Sequence, residues 1–235
     1  MQSSTDTFDA VTRDVYDFHT HTFHSDGVLS PMEQARRAVV NGYAALGLTD
    51  HTGAGGVARL LQELKHDRDI IERYWPIRII VGVELTHVPA EAIAEVAQHA
   101  RSSGAEIVVV HGETLVEPVP TGTNHAAIVS GYVDVLAHPG MLTEEDARLA
   151  AIHDVFIEVT ARRGHSLANG HVVRVADTAG AKLIVNSDAH EPSDLLTPSF
   201  QERVARGAGV SEADLAMVLR KHPELLLNRI VGRRS

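Results

Sequence analysis

The chain has 235 residues, of which 44% are hydrophobic but only 4% aromatic, and a formal net charge of −10. That length fits a single domain over residues 1–235 with one substantial core, which must rest on Val, Ile, Leu and Ala. The absence of cysteine excludes a disulfide framework, a thiolate zinc site and cysteine catalysis, and the acidic balance argues against general nucleic-acid binding, which needs clustered Lys and Arg.

The opening MQSSTDTFDAVTRD lacks a positive start followed by an apolar stretch, and no run approaches membrane-spanning length. Both point to a cytoplasmic protein with no membrane partner. Val15–Phe18 is the first short apolar run and reads as a strand. A helix is predicted over Pro31–Asn41, with Ser30 as N-cap, Pro31 in the first turn and Gly42 as the stop. Strand Ala44–Thr49 follows, then helix Val57–Tyr74 with apolar positions at helical spacing. Strand Ile77–Val83 leads to helix Ala90–Ser102, which ends at Gly104. Strand Glu106–Val110 leads to a long loop over Val116–Asn124, where Thr121, Thr123 and Asn124 either contact substrate or cap a helix starting near His125. Strands Val133–Ala137, Val155–Val159 and Lys182–Val185 alternate with helices Thr143–His153 and Leu167–Ala179. From about Gln201 to Leu227 two helices are expected, divided near Gly207–Gly209, the second starting at Ser211. Such alternation predicts an α/β fold whose parallel sheet closes into a distorted barrel.

Histidine is abundant, with 15 residues, and its positions follow the strand ends. The first strand runs into Asp17-Phe18-His19-Thr20-His21 and Ser25-Asp26-Gly27. The next ends in Thr49-Asp50-His51, and the following three end at Glu84, His111 and His138. The last ends in Asn186-Ser187-Asp188-Ala189-His190. The strand Val155–Val159 carries no obvious ligand and is followed by Arg162 and Arg163. In parallel α/β barrels the loops at this end converge on the active site. Imidazole and carboxylate together suit zinc, manganese or iron.

DFHTHTFHSDG, GLTDHT, the GVE around Glu84, VHGE, LAHPG and NSDAH occur in this order, and the set resembles the PHP family, named for its polymerase and histidinol-phosphatase members. The match runs from Asp17 to about Leu195. The resemblance implies a distorted (β/α)7, TIM-like barrel and a trinuclear metal centre. By resemblance, His19, His21, Glu84 and Asp188 hold the first ion; Glu84, His111 and His138 the second; Asp26, His51 and His190 the third. The segments HGETLVEPVPTGTNHAAI and GHSLANGH are similar to those of a smaller subgroup of stand-alone PHP proteins.

The expected activity is hydrolysis of a small phosphate monoester by a metal-bridged hydroxide. Arg162 or Arg163 is a candidate bidentate contact to the phosphate. His165 is a candidate leaving-group acid or phosphate contact, or else a loop cap. Glu113 could orient a ligand or be a solvated loop carboxylate, Asp50 could support the His51 imidazole, Asp17 could be a buried partner of the His19–His21 pair or a strand-end cap, and His24 reads as a rim residue. His66, His99, His153 and His222 fall on predicted helices. A phosphodiesterase or nuclease would use the same ions along an open basic groove, but lysine occurs only at 65, 182 and 221. An amidohydrolase-type barrel shares His-x-His, yet no lysine ends a central strand. A non-catalytic metal-stabilised interaction module is the remaining alternative. The expected partner is a small phosphorylated substrate, and the apolar LLLNRIV near the C-terminus could pack on the barrel or on a second copy.

Overall fold

The structure is a computed structural model and describes residues 14–234. Strand and helix alternate along it: β1 (Val15–Asp17), α1 (Pro31–Val40), β2 (Tyr43–Leu48), β3 (His51–Thr52), α2 (Val57–Tyr74), β4 (Arg78–Leu85), α3 (Ile93–Ser102), β5 (Ile107–His111), α4 (Thr123–Val129), β6 (Val135–Ala137), α5 (Glu144–His153), β7 (Phe156–Thr160), α6 (Asn169–Ala179), β8 (Leu183–Asn186), α7 (Pro198–Gly207) and α8 (His222–Gly232). All pairings are parallel, in the order β1-β2-β4-β5-β6-β7-β8, and the two-residue β3 adds to β4. The fold is an α/β barrel, distorted and TIM-like, as the sequence predicts.

Closure is local. β1 and β8 share no ladder, but just beyond their ends Thr20 and Ala189 form a parallel bridge. There the His21 amide donates to the Ala189 carbonyl at 2.9 Å, and the Asp188 amide to the His19 carbonyl at 3.0 Å. The barrel is therefore sealed at the end where the histidines lie.

Side-chain alternation divides the core into two layers. Ile80, Ile107, Val109, Phe156 and Ile184 fill the interior, while Ile79, Val81, Val108, Val110 and Val185 pack outward against the helices. The inward rows continue upward into polar groups: Ile80–Gly82–Glu84, Ile107–Val109–His111, Phe156–Glu158 and Ile184–Asn186–Asp188. Gly82 permits the close approach of β4 to β5, since a β-carbon there would lie 2.3 Å from the Ile107 carbonyl oxygen. At the opposite end Leu226 and Ile230 of α8 join the interior cluster. The apolar LLLNRIV segment thus packs on the barrel.

Three elements differ from the sequence reading. β3 is too short to show a period. α7 begins at Pro198, behind the N-cap Thr197, not at Gln201. The last helix, expected from Ser211, instead passes through a π-turn over Met217–Lys221 before α8. Pro223 explains this: it has no N–H for the carbonyl of Leu219, and its ring would collide with that carbonyl in a regular helix. Among the described residues, no helix is long and apolar enough to cross a membrane.

Candidate metal centre

Glu84 is the hub of the cluster. Fully buried at the top of β4, its Oε1 lies 3.2 Å from His19 Nε2 and 3.7 Å from His138 Nε2. Its Oε2 lies 2.6 Å from His51 Nδ1 and 3.6 Å from His21 Nε2. Asp188, also buried, places Oδ1 3.1 Å from His21 Nε2 and Oδ2 3.6 Å from His138 Nε2. Asp26 is more open, with Oδ1 3.2 Å from His190 Nε2 and 3.5 Å from His51 Nε2. The nine residues proposed from the sequence meet in overlapping groups: His19, His21 and Asp188; Glu84, His111 and His138; His21, Asp26, His51 and His190. Within each group the ligand-capable atoms lie within 4.8 Å of one another. His138 and Asp188 reach the cluster with positive φ, 27° and 54°, a conformation that costs a residue with a β-carbon free energy and gathers at functional sites.

Neighbouring groups choose which ring nitrogen faces inward. Glu158 Oε2 accepts from His19 Nδ1 at 2.8 Å, leaving Nε2 toward Glu84. His190 Nδ1 donates to the Asp188 carbonyl at 3.0 Å, leaving Nε2 toward Asp26. A carboxylate or carbonyl behind a histidine is the usual support of a metal ligand.

The charge balance also fits cations. Glu84, Glu158 and Asp188 are three buried carboxylates around the same rings. Burial pushes the Asp188 carboxyl up to about 7, with Glu84 and Glu158 adding to it against His19. Glu84 is desolvated too, yet His19 and His51 hold it well below the usual carboxylate range. Burial drives His21 and His138 well below the ordinary imidazole value and lowers His111, favouring the neutral form that binds a metal. Glu84 Oε1, Glu158 Oε1 and the Nδ1 atoms of His21, His111 and His138 are buried without a hydrogen-bond partner. Unpartnered buried carboxylate oxygens are costly unless a cation meets them, so the donor set suits divalent ions.

Over the cluster lies a cavity of about 270 Å³. Arg162 and His165 line it, whereas Arg163 is exposed and is not among its lining residues. Arg162 Nη1 donates to Asp194 at 3.1 Å. His165 stacks on His138 with ring centroids 4.3 Å apart, and its Nδ1 is 2.7 Å from Thr114 Oγ1.

The pattern of the PHP domain matches residues 17–179. The chain belongs to the PHP domain family. The match stops short of Asp188 and His190, and the geometry places both in the same cluster as the PHP residues that precede them. An uncharacterized protein of Methanocaldococcus jannaschii is 44% identical over 216 residues, 92% of this chain and 99% of its own length. A protein of Thermoanaerobacter sp. (strain X514), described as a probable phosphatase, is 26% identical over 238 residues, covering 93% of this chain and 92% of that one. Among solved structures, the histidinol phosphate phosphatase of Lactococcus lactis, complexed with zinc, L-histidinol and phosphate, has a TM-score of 0.59 at 14% identity and covers 84% of this chain and 95% of that one. The ochratoxinase of A. niger has a TM-score of 0.57 at 12% identity, covering 91% and 71%. At such identity both likenesses concern the fold alone.

Several side chains of this PHP chain act differently from their sequence reading. Glu113 orients no ligand; its Oε1 accepts from the Gly122 and Asn124 amides at 3.1 and 3.0 Å and caps α4. Asn124 neither contacts the cavity nor caps the helix: it bridges the Glu113 amide and the Pro139 carbonyl. Asp50 holds not His51 but the turn carrying Asp26, through the Thr22 amide at 2.7 Å and Ser25 Oγ at 2.8 Å. Asp17 keeps to its sequence reading: it is buried behind His19 and His21, accepting from Tyr43 Oη at 3.0 Å and the Ser187 amide at 3.1 Å. His24 faces Glu63 at 3.3 Å, and His222 bonds the Leu183 carbonyl. Sequence reasoning passed over Glu158 and Glu117. Glu158 had a signal, since it shares the inward face of its strand with Phe156. Glu117, in a proline-flanked loop, had none.

Proposed function

We propose that this metal-dependent phosphoesterase of the PHP family hydrolyses a small phosphate monoester, with histidinol phosphate as the precedent among proteins of similar fold, at a centre of three divalent ions. One observation carries the reading. The cavity over the carboxylate–histidine cluster is small, about 270 Å³, and among the described residues lining it Arg162 is the one arginine or lysine. A single guanidinium suits a terminal phosphate; a nucleic-acid strand needs a row of cations.

His19, His21, Glu84 and Asp188 would hold one ion, Glu84, His111 and His138 a second, and Asp26, His51 and His190 a third. Zinc, manganese and iron all suit these donors. When bound, the ions supply Lewis acidity and an activated nucleophile near neutral pH. The side chains supply the rest. Arg162, anchored by Asp194, would grip the phosphate and fix its direction, placing phosphorus for in-line attack. His165, its Nδ1 engaged by Thr114, lines the cavity with Nε2 3.4 Å from Glu117 Oε1 and can carry a proton to the leaving oxygen.

The test is protein stripped by a chelator, reloaded separately with manganese, iron or zinc, and screened against small phosphomonoesters and single-stranded oligonucleotides. Monoester turnover restored by metal is expected. Cleavage of oligonucleotides without any monoester turnover would overturn the reading. Arg162→Ala is expected to lower kcat/KM about 10- to 100-fold, the equivalent of one charge-assisted hydrogen bond, while metal content stays unchanged.

A further inference from the structure

Two side chains outside the nine residues assigned above, His87 and Glu117, converge with His111 at the cavity. Glu117 Oε2 lies 3.2 Å from His111 Nε2 and 3.4 Å from His87 Nε2. All three residues line the same cavity as Arg162. Two ligand atoms about 2.1 Å from one zinc-sized ion, at a tetrahedral angle, stand about 3.4 Å apart. The separations therefore match edges of a single coordination shell, and the ligand-capable atoms of the three all lie within 4.8 Å of one another.

The backbone gives an independent sign. His87 has φ 53°. Non-glycine residues rarely adopt this conformation, and it persists where surrounding structure enforces it. Of the other non-glycine residues with positive φ among the described residues, His138 and Asp188 are candidate ligands and Asp154 is the C-cap of α5. Glu117 is followed by Pro118, which restricts the backbone of the glutamate itself.

We propose that His87, His111 and Glu117 form an outer divalent-cation site at the cavity. Two imidazoles and one carboxylate suit zinc, manganese or iron. Three protein ligands leave one tetrahedral position open, the pattern of a site that takes an exchangeable ligand. Since the three ligands line the cavity, the ligand that fits there is an oxygen of the anionic substrate, which rests on the phosphoesterase reading above. His111 also belongs to the group with Glu84 and His138. The outer site, with His87 and Glu117, therefore shares one ligand residue with the inner group.

The full chain, stripped by a chelator, is titrated with Co²⁺ alone and followed by calorimetry and visible absorption. Parent, His87→Ala, Glu117→Gln and the double variant are compared. In the double variant one cobalt equivalent is expected to bind about tenfold or more weakly, with a changed visible spectrum, while the other equivalents keep their affinities. Identical stoichiometry, affinities and spectra in parent and double variant would overturn the site. His87 and Glu117 are about two-fifths exposed, at 41% and 40%, so the fold does not depend on them. Should the double variant misfold, Glu117→Gln keeps the side-chain shape, and unchanged cobalt binding there is equally decisive. Because the readout is cation binding, a failed substrate screen sinks the phosphomonoester reading and leaves this one standing.

Discussion

Glu158 keeps one carboxylate oxygen on His19 Nδ1 and on Asn186 Nδ2, both at 2.8 Å, and leaves the other buried without a partner. A carboxylate behind a ligand imidazole fixes its tautomer and raises its basicity, and loss of such support typically weakens metal binding 10- to 100-fold. Glu158→Gln should therefore weaken the ion at His19 by roughly tenfold or more, read by chelator competition, while the circular dichroism of the barrel is retained. Equal affinity in parent and variant would show that His19 needs no such partner. Asp188 gives the cluster part of its pH dependence. Burial raises its carboxyl to about 7 from an ordinary value of 3.8. In the metal-free protein the stability contributed by this neutral carboxyl is fully present below its ordinary value and is lost as pH rises through about 7. A cation needs this carboxylate ionised and its imidazole ligands neutral, and Glu84 overrides burial to hold His51 at about 9, so metal affinity should rise with pH through about 7 and on to about 9. Calorimetric titration at several pH values reads this, and a flat profile would contradict it. The sequence made His19 and Asp188 visible because both sit in short motifs at strand ends. Glu158 showed only through the alternation of its strand, because burial, not motif, gives that side chain its role.

The helices show the same divide. α1 was legible, since Ser30 accepts from the Glu33 amide and Pro31 opens the first turn, both local signals. For α4 the helix itself was legible, expected from near His125 and found from Thr123, but its cap was not: the N-cap is Gly122, with φ 88° and no side chain to offer. Its cap comes from Glu113, nine and eleven residues before Gly122 and Asn124. No local pattern announces a partner across a loop of that length. Because Glu113 satisfies two helix-terminal donors, Glu113→Ala should cost about 1 kcal/mol of stability, within the range for helix caps. Thermal or urea unfolding measures that loss. The same variant should loosen the segment from Leu115 to Thr121, which carries Glu117 to the cavity, and hydrogen exchange there should quicken. A variant as stable as the parent would mean that water replaces the carboxylate at the helix terminus without cost.

Across the whole molecule, the barrel was foreseeable from alternating apolar runs and helices, but the residues that close it were not. The seam between β1 and β8 is made by residues beyond both strands, the same turns that carry His19, His21, Asp188 and His190. Their side chains face one another across it, with His21 Nε2 3.1 Å from Asp188 Oδ1. A cation between them would tie the first strand to the last, whereas elsewhere the sheet is held by ladders such as that from Gly82–Leu85 to Ile107–Val110. Binding to the folded state alone stabilises it by about 4 kcal/mol at a thousandfold excess over Kd, and here that free energy acts at the weakest seam. Removing metal with a chelator should therefore lower Tm and should not weaken the barrel evenly. Amide exchange should quicken most at residues 18–22 and 186–190, while residues 79–85 and 107–110 stay protected. Uniform loss of protection around the barrel would mean that the ions stabilise the fold as a whole rather than its closure. Unchanged Tm and exchange would remove the structural part of the argument and leave the cluster a purely catalytic one.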